Sequence, residues 1–191
     1  MRRRTLLQHS LLVGPPGLAG LAAAPLRAQP TPAAVPPEIA AALPQARAAG
    51  QARMRYLGLA IYDIRLWVAP GFEASTYTQH PLALELTYWR TLRGTLIAER
   101  SLDEIRRAGP LALDTGQRWL EAMQRAFPDV AEGDRLTGLH SPGAGARFWF
   151  NGQPRPGVAD AEFSRRFFGI WLAPGTSEPA LREALLAGVG A

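Results

Sequence analysis

Few side chains in this chain are spaced for chemistry. Outside the first 28 residues the histidines are His80 and His140, about sixty residues apart, and no paired carboxylate motif sits beside either. A histidine metal site is therefore not expected. The chain has no cysteine, which removes thiol catalysis and cysteine-ligated metals. The acidic stretch Phe127-Pro-Asp129-Val-Ala-Glu132-Gly133-Asp134 lacks the regularly alternating ligands of a calcium loop and reads as a helix stop followed by a turn. Ser141-Pro-Gly143 is not a nucleophile elbow, and no Gly-x-Ser-x-Gly occurs. Gly143-Ala-Gly145 joins two strand-like stretches, so a phosphate cradle, which needs a following helix, is not expected. No cofactor motif is present. What remains is aromatic. Phe163, Phe167 and Trp171 recur at four-residue steps and share one helix face, and Gly169 among them allows another segment to come close. That face must cover a large apolar surface.

The elements that supply such a surface follow from periodicity. Arg53–Tyr62 and Ile61–Val68 read as strand, rich in aromatic and branched residues. In the second half Tyr62, Ile64, Leu66 and Val68 share one side and Asp63, Arg65 and Trp67 the other. Leu82–Arg90 alternates in the same way, with Leu82, Leu84, Leu86 and Tyr88 on one face. Ser101-Leu-Asp-Glu104 reads as a capping box that starts a helix ending at Gly109-Pro110. Asp114 can start the next, with Trp119, Leu120, Met123 and Phe127 as its buried stripe and Pro128 as its stop. Arg135–His140 and Ala146–Phe150 read as short strands, and Asn151-Gly152 as a two-residue hairpin turn. Asp160 can cap the aromatic helix and Ser177 the last one, in which Leu181, Leu185 and Leu186 face inward. The expected class is α+β: an antiparallel sheet with helices layered on one face.

The first 28 residues read as a leader. Arg2-Arg3-Arg4 is followed by an uncharged stretch from Leu6 to Ala24, and Leu26-Arg27-Ala28 offers a cleavage site. Arg3-Arg4-Thr-Leu-Leu-Gln8 resembles a twin-arginine export signal, and the expected location is a bacterial periplasm. Pro15-Pro16-Gly17 interrupts the apolar stretch and argues against a membrane helix. Residues 29–45 are rich in Pro and Ala and read as a linker in which a short helix near Glu38–Leu43 can form. The domain is then expected over 46–191. All 21 basic residues are Arg, and four of them lie in the leader. The remaining 17 face 16 acids, a net charge of about +1, too little for a nucleic-acid-binding surface.

Several pieces in order carry a family resemblance. The stretch Arg53-Met-Arg55-Tyr-Leu-Gly58-Leu-Ala-Ile-Tyr62-Asp-Ile-Arg65-Leu-Trp67, the block Leu86-Thr-Tyr88-Trp-Arg90 with Ile97-Ala-Glu-Arg100-Ser101 after it, and Phe148-Trp-Phe150-Asn-Gly152 followed by Phe168-Gly-Ile-Trp-Leu172 resemble chalcone isomerase-like proteins, in particular a bacterial branch. The likeness spans about residues 46 to 188. It implies an open-faced sandwich, a large antiparallel sheet covered by helices, in agreement with the periodicity.

In the enzymes of that family an Arg and a Thr on early strands, a Tyr and an Asn beyond them, and a Ser or Thr near the C terminus face a cleft. The resemblance assigns the first role to Arg53 or Arg55, puts Tyr62 in place of the Thr, and puts Ile97 and Asp103 or Glu104 near the Tyr and Asn. Thr176 or Ser177 matches the last. With two phenolate-orienting groups changed, the transition state of chalcone cyclisation loses its hydrogen bonds. An Arg and a Tyr at these places instead resemble the family's fatty-acid-binding members, where guanidinium and phenol hold a carboxylate and an apolar cleft takes the tail. The expected function is binding of a small amphiphilic carboxylate by Arg53, Arg55, Tyr62, Thr176 and Ser177, with no cofactor and no metal. Arg55 and Tyr62 have opposite parity on an unbroken strand, so the site requires a bulge at Gly58. Two other readings stand beside it: an isomerase or lyase with Arg55 as electrophile and Tyr62 as proton donor, and an interaction domain whose cleft its own side chains fill.

Overall fold

The computed structural model describes residues 34–189. The expected leader lies outside the described residues, as does the first part of the expected linker. The elements are α1 (Pro37–Ala42), β1 (Arg47–Tyr56), β2 (Leu59–Val68), a 3-10 segment (Ala74–Gln79), β3 (Leu82–Tyr88), α2 (Gly94–Arg107), α3 (Leu113–Ala126), β4 (Arg135–Ser141), β5 (Gly145–Phe150), β6 (Gln153–Val158), α4 (Ala161–Leu172) and α5 (Pro179–Leu186). The six strands form one antiparallel sheet in chain order, each beside its sequence neighbour.

Alternation decides which side is covered. Ile64 lies opposite Leu86, Leu66 opposite Leu84 and Val68 opposite Leu82. On β4, Leu136 and Gly138 extend the rows of Leu86 and Leu84. These apolar residues form one sheet face. The helical layer meets it with Ala98, Leu102 and Ile105 of α2, Trp119 and Met123 of α3, Phe163, Phe167, Phe168 and Leu172 of α4, and Leu181 and Leu185 of α5, all buried. Each large side chain so buried stabilises the fold by about 1.5–3 kcal/mol. The result is the open-faced sandwich expected from the pattern.

Three devices seat α4, the roof of the central sheet. Asp160 caps its N terminus by accepting from the Phe163 amide, as expected, and its second oxygen accepts from the Trp119 indole at 2.9 Å. His140, buried on β4, lies 2.6 Å from the Ser164 hydroxyl through Nδ1 and 3.1 Å from the Thr78 carbonyl through Nε2. A carbonyl only accepts, so Nε2 carries the proton and Nδ1 accepts from Ser164. Burial holds the His140 pKa below its ordinary value, so the ring ties the 3-10 segment and α4 to β4 as a neutral group. Gly169 is the point of close approach: a Cβ there would meet the Tyr77 hydroxyl at 3.0 Å.

The structure differs from the expectations at several places. The stretch read as one strand over Arg53–Tyr62 is a hairpin. Leu57 (φ 49°) and Gly58 (φ 80°) form its turn, because Gly readily takes the left-handed region that reverses a chain. Ser101 does not start a helix. It lies in the middle of α2 and its hydroxyl donates to the Ile97 carbonyl at 2.8 Å, the i−4 bond that lets Ser sit inside a helix. β6 went unread because Pro154 and Pro156 argue against a strand; at the sheet edge they are tolerated.

Residues 34–45 of the expected linker belong to the fold. On the sheet's other face Ile39 and Leu43 are buried with Trp67, Ala83 and Leu139. Glu38 accepts from Arg135 at 2.8 Å and from the Thr137 hydroxyl at 3.1 Å. Prolines shape the entry to this helix rather than abolish it, since Pro is suited to a first helical turn. Replacing Ile39 with Ala is expected to lower unfolding stability by about 2–4 kcal/mol, measured by urea denaturation. An unchanged midpoint would mean that α1 rests on the sheet without stabilising it.

Candidate functional site

Between the covered sheet face and helices α2 and α4 lies a cavity of about 330 Å³, at the small end of the range for ligand sites, roughly 300–1,000 Å³. Strand register orders its wall by depth. Tyr56 and Ile61, near the β1–β2 turn, and Leu96 on the first turn of α2 line the outer end; Tyr56 and Leu96 are exposed. Next come Tyr62 and Tyr88, directly opposite each other on β2 and β3, with Met54 of β1 opposite Tyr62. Deeper are Leu86 and Leu136, then Leu84 and Gly138. Phe148, Phe167 and Phe168 close the inner end. A Cβ on Gly138 would meet Phe148 and Phe168 at 3.3 Å each, so the bare backbone there makes room for both rings.

The polar groups gather around the two phenols. The Trp171 indole, on the last turn of α4, donates to the Tyr62 hydroxyl at 3.1 Å. That leaves the Tyr62 proton free for another acceptor. The Tyr88 hydroxyl has no hydrogen-bond partner among the described residues. Burial pushes the Tyr62 pKa up to about 12, against the indole hydrogen bond that lowers it. Burial pushes Tyr88 up as well, aided by the neighbouring Tyr62. Both are neutral donors at any physiological pH.

Arg100, Ser101, Glu104, Ser177 and Glu178 also line the cavity. Arg100 donates to Glu104 at 2.6 Å and Arg107 does so at 2.8 Å. Burial opposes ionisation of Glu104, but the bonds from Arg107 and Ser177 and the two guanidinium charges outweigh it and hold its carboxyl below the ordinary value. The site can therefore offer two uncharged hydroxyl donors over a deep apolar end, with one guanidinium beside them.

The residues expected to form the site are not brought together. Tyr62 is in the cavity. Arg53 points to the other face of the sheet, gripping Asp63 with bonds of 2.6 and 2.9 Å and lying 4.5 Å from the centre of the Trp89 ring. Arg55 is exposed and donates to the Gly58 carbonyl at 3.2 Å. The bulge required at Gly58 is absent, since Gly58 is in the turn; the register shifts instead across Met54 and Arg55, and Met54 joins Tyr62. Thr176 donates to the Ile170 carbonyl and accepts from the Glu178 amide, away from the cavity wall. Ser177 does not cap α5. It reaches the wall, but its hydroxyl donates to Glu104 at 2.9 Å.

Sequence reasoning missed Tyr88 and Arg100 as site residues. The signal for Tyr88 was present: it ends the apolar row of β3 as Tyr62 begins that of β2, and a hairpin-like pairing of those rows sets them side by side. Arg100 carried no signal beyond its four-residue step to Glu104.

Fold and cavity together define an antiparallel sheet and helical layer enclosing a small-molecule-sized space. The chain belongs to the chalcone isomerase-like family, which it matches over residues 70–187. The matched segment begins after β2, so Arg53, Arg55 and Tyr62 lie outside it. An uncharacterized protein of Haemophilus influenzae is 34% identical over 130 residues, which cover 66% of this chain and 60% of that protein; this chain thus spans about three fifths of that relative's length. The crystal structure of an Arabidopsis thaliana fatty-acid binding protein shares the fold, with a TM-score of 0.58 and 12% identity over 75% of this chain and 87% of the plant protein.

The buried tyrosines set a pH dependence. In the unfolded chain they ionise near pH 10, whereas Tyr62, Tyr77 and Tyr88 are all held above that value by burial in the fold. Their neutral forms favour the fold fully below pH 10, and stability falls as the pH rises from there toward 12. Absorbance titration should show Tyr62 ionising near pH 12, and Trp171→Phe, which removes a bond to the phenolate, should raise it further.

Proposed function

We propose that the protein binds a small amphiphile, such as a fatty acid, in this cavity without transforming it. The observation that carries this reading is the order of the wall: the acceptor-seeking phenols and Arg100 stand toward the outer end, and Leu84, Gly138, Phe148 and Phe168 form a deep apolar end. An oxygen at the head of the ligand accepts from Tyr62 and Tyr88, and the chain lies inward. The plant protein of the same fold is described as fatty-acid binding, which supports the ligand class. The anchor differs from the expected one. Arg53 and Arg55 are outside, so a carboxylate head meets neutral donors and Arg100, which it shares with Glu104.

The isomerase reading required Arg55 beside Tyr62, and their separation counts against it. The closed-core reading is opposed by the volume left under α4. Native mass spectrometry of the purified protein should show a co-purifying amphiphile. Replacing both Tyr62 and Tyr88 with Phe should weaken its binding by about tenfold or more, since each hydrogen bond contributes about 1 kcal/mol. Retention of the same ligand by the double variant would overturn the assignment of these donors.

The proposal extends to an exported bacterial member of the family, working in the periplasm. It rests on the arginine run, the uncharged stretch and the Leu26-Arg27-Ala28 site in the sequence. Cell fractionation is expected to recover a chain beginning at Gln29 in the periplasm. Replacing Arg3 and Arg4 with Lys should block export if the twin-arginine route is used.

A further inference from the structure

Two hairpin turns among the described residues share their φ values and differ in their residues. Asn151-Gly152, between β5 and β6, has φ values of 49° and 80°; Leu57-Gly58, between β1 and β2, has the same two values. Asn is suited to the first position, because its short polar side chain tolerates the left-handed region. Leu is not, and Leu57 returns nothing to the core: it is 86% exposed. The strand residues on either side of the turn, Tyr56 and Leu59, are 62% and 52% exposed. The same end of the sheet carries exposed Trp89, whose amide donates to the Ile61 carbonyl. Exposed Leu96, which lines the cavity together with Tyr56, completes the group. Tyr56, Leu57, Leu59 and Leu96 thus make an apolar group at the outer end of the cavity, with Trp89 beside them on the sheet's other face, under Arg53.

Cations stand among them. Arg55 adjoins Tyr56, Arg90 follows Trp89, and Arg93 precedes α2. None of the three makes an ion pair among the described residues. Long arginines beside exposed Leu and aromatic side chains match a bilayer surface: the apolar groups enter the acyl boundary, Tyr and Trp suit the headgroup level, and guanidinium groups meet lipid phosphates. The acidic loop bearing Asp129, Glu132 and Asp134 reaches the β3 and α2 side of this end, where Asp129 accepts from the Gly94 amide beside Arg93 and the Asp134 carbonyl accepts from the Tyr88 amide. Arg55, on the β1–β2 hairpin, is the cation farthest from it in the sheet order. We propose that the β1–β2 hairpin tip docks the protein on an anionic lipid bilayer with the cavity mouth at the membrane. Docking does not require that the cavity hold a ligand, although the two together describe a route for an amphiphile between membrane and protein.

Co-sedimentation with phosphatidylcholine vesicles, with and without phosphatidylglycerol, tests this on the full chain. Binding is expected only with the anionic lipid and should weaken with salt. Leu57→Asn is expected to weaken it about tenfold, the effect of withdrawing one buried Leu, while the melting temperature stays equal or rises. Arg55→Gln with Arg93→Gln should weaken it further, by about fivefold for each arginine. All variants carry the same N-terminal residues, so differences read the tip alone. Absent binding, or binding unchanged by Leu57→Asn, overturns the proposal. So does a wild-type dimer that Leu57→Asn dissociates, which assigns the tip to a second copy of the chain. The Tyr62→Phe, Tyr88→Phe double variant should dock normally, which separates this outcome from the fate of the ligand assignment.

Discussion

The seating of α4 on the central strands is the constraint from which the site follows. Its rings meet the sheet and one another in fixed geometries: Phe167 lies edge-on to Phe148 at 5.5 Å and to Phe168 at 5.4 Å, and Phe163 stacks on Phe167 at 5.4 Å. Rigid rings in such arrangements cannot be slid to fill every gap, unlike aliphatic chains. Gly138 lets the cluster settle deep at one end. Toward the other end Trp171 reaches across to the Tyr62 hydroxyl, and the space between α2, α4 and the sheet stays open.

The charge pattern follows from the same architecture. Interior positions on β2 and β3 are too far from water to hold an unpaired guanidinium, which would be costly to bury. The early strands accordingly send Arg53 to the opposite face and Arg55 to the surface. The guanidinium beside the phenols comes from α2, where Arg100 remains mostly in solvent and Glu104 holds it in place. The result is an interior whose deep end is apolar and whose charges sit at its margin.

Much of the fold was legible because burial on one face enforces strict alternation. The rows on β2 and β3, the stripe of α3, the Asp160 cap and the Asn151-Gly152 turn are all local signals that tertiary packing reinforces. The site was less legible because it depends on which way each early strand residue faces. Treating Arg53–Tyr62 as continuous strand put Arg55 and Tyr62 in one element; the turn at Leu57-Gly58 puts them in two. Leu57 hid that turn, since a large apolar residue gives no reversal signal. The Pro-rich composition around α1 hid a docked helix, and the prolines of β6 hid a strand, because composition reports a tendency while position in the sheet decides whether it matters.

Both borders of the sheet are guarded against growth. At one border Pro154 and Pro156 interrupt the row of amide donors that an added strand requires. At the other, the C-terminal segment covers the beginning of β1, with the Gly188 amide on the Ala49 carbonyl, and two arginines flank the remainder. The two arginines expected to anchor a ligand stand instead along this border, Arg53 paired with Asp63 and Arg55 on the Gly58 carbonyl, charged groups of the kind that discourage edge-to-edge pairing.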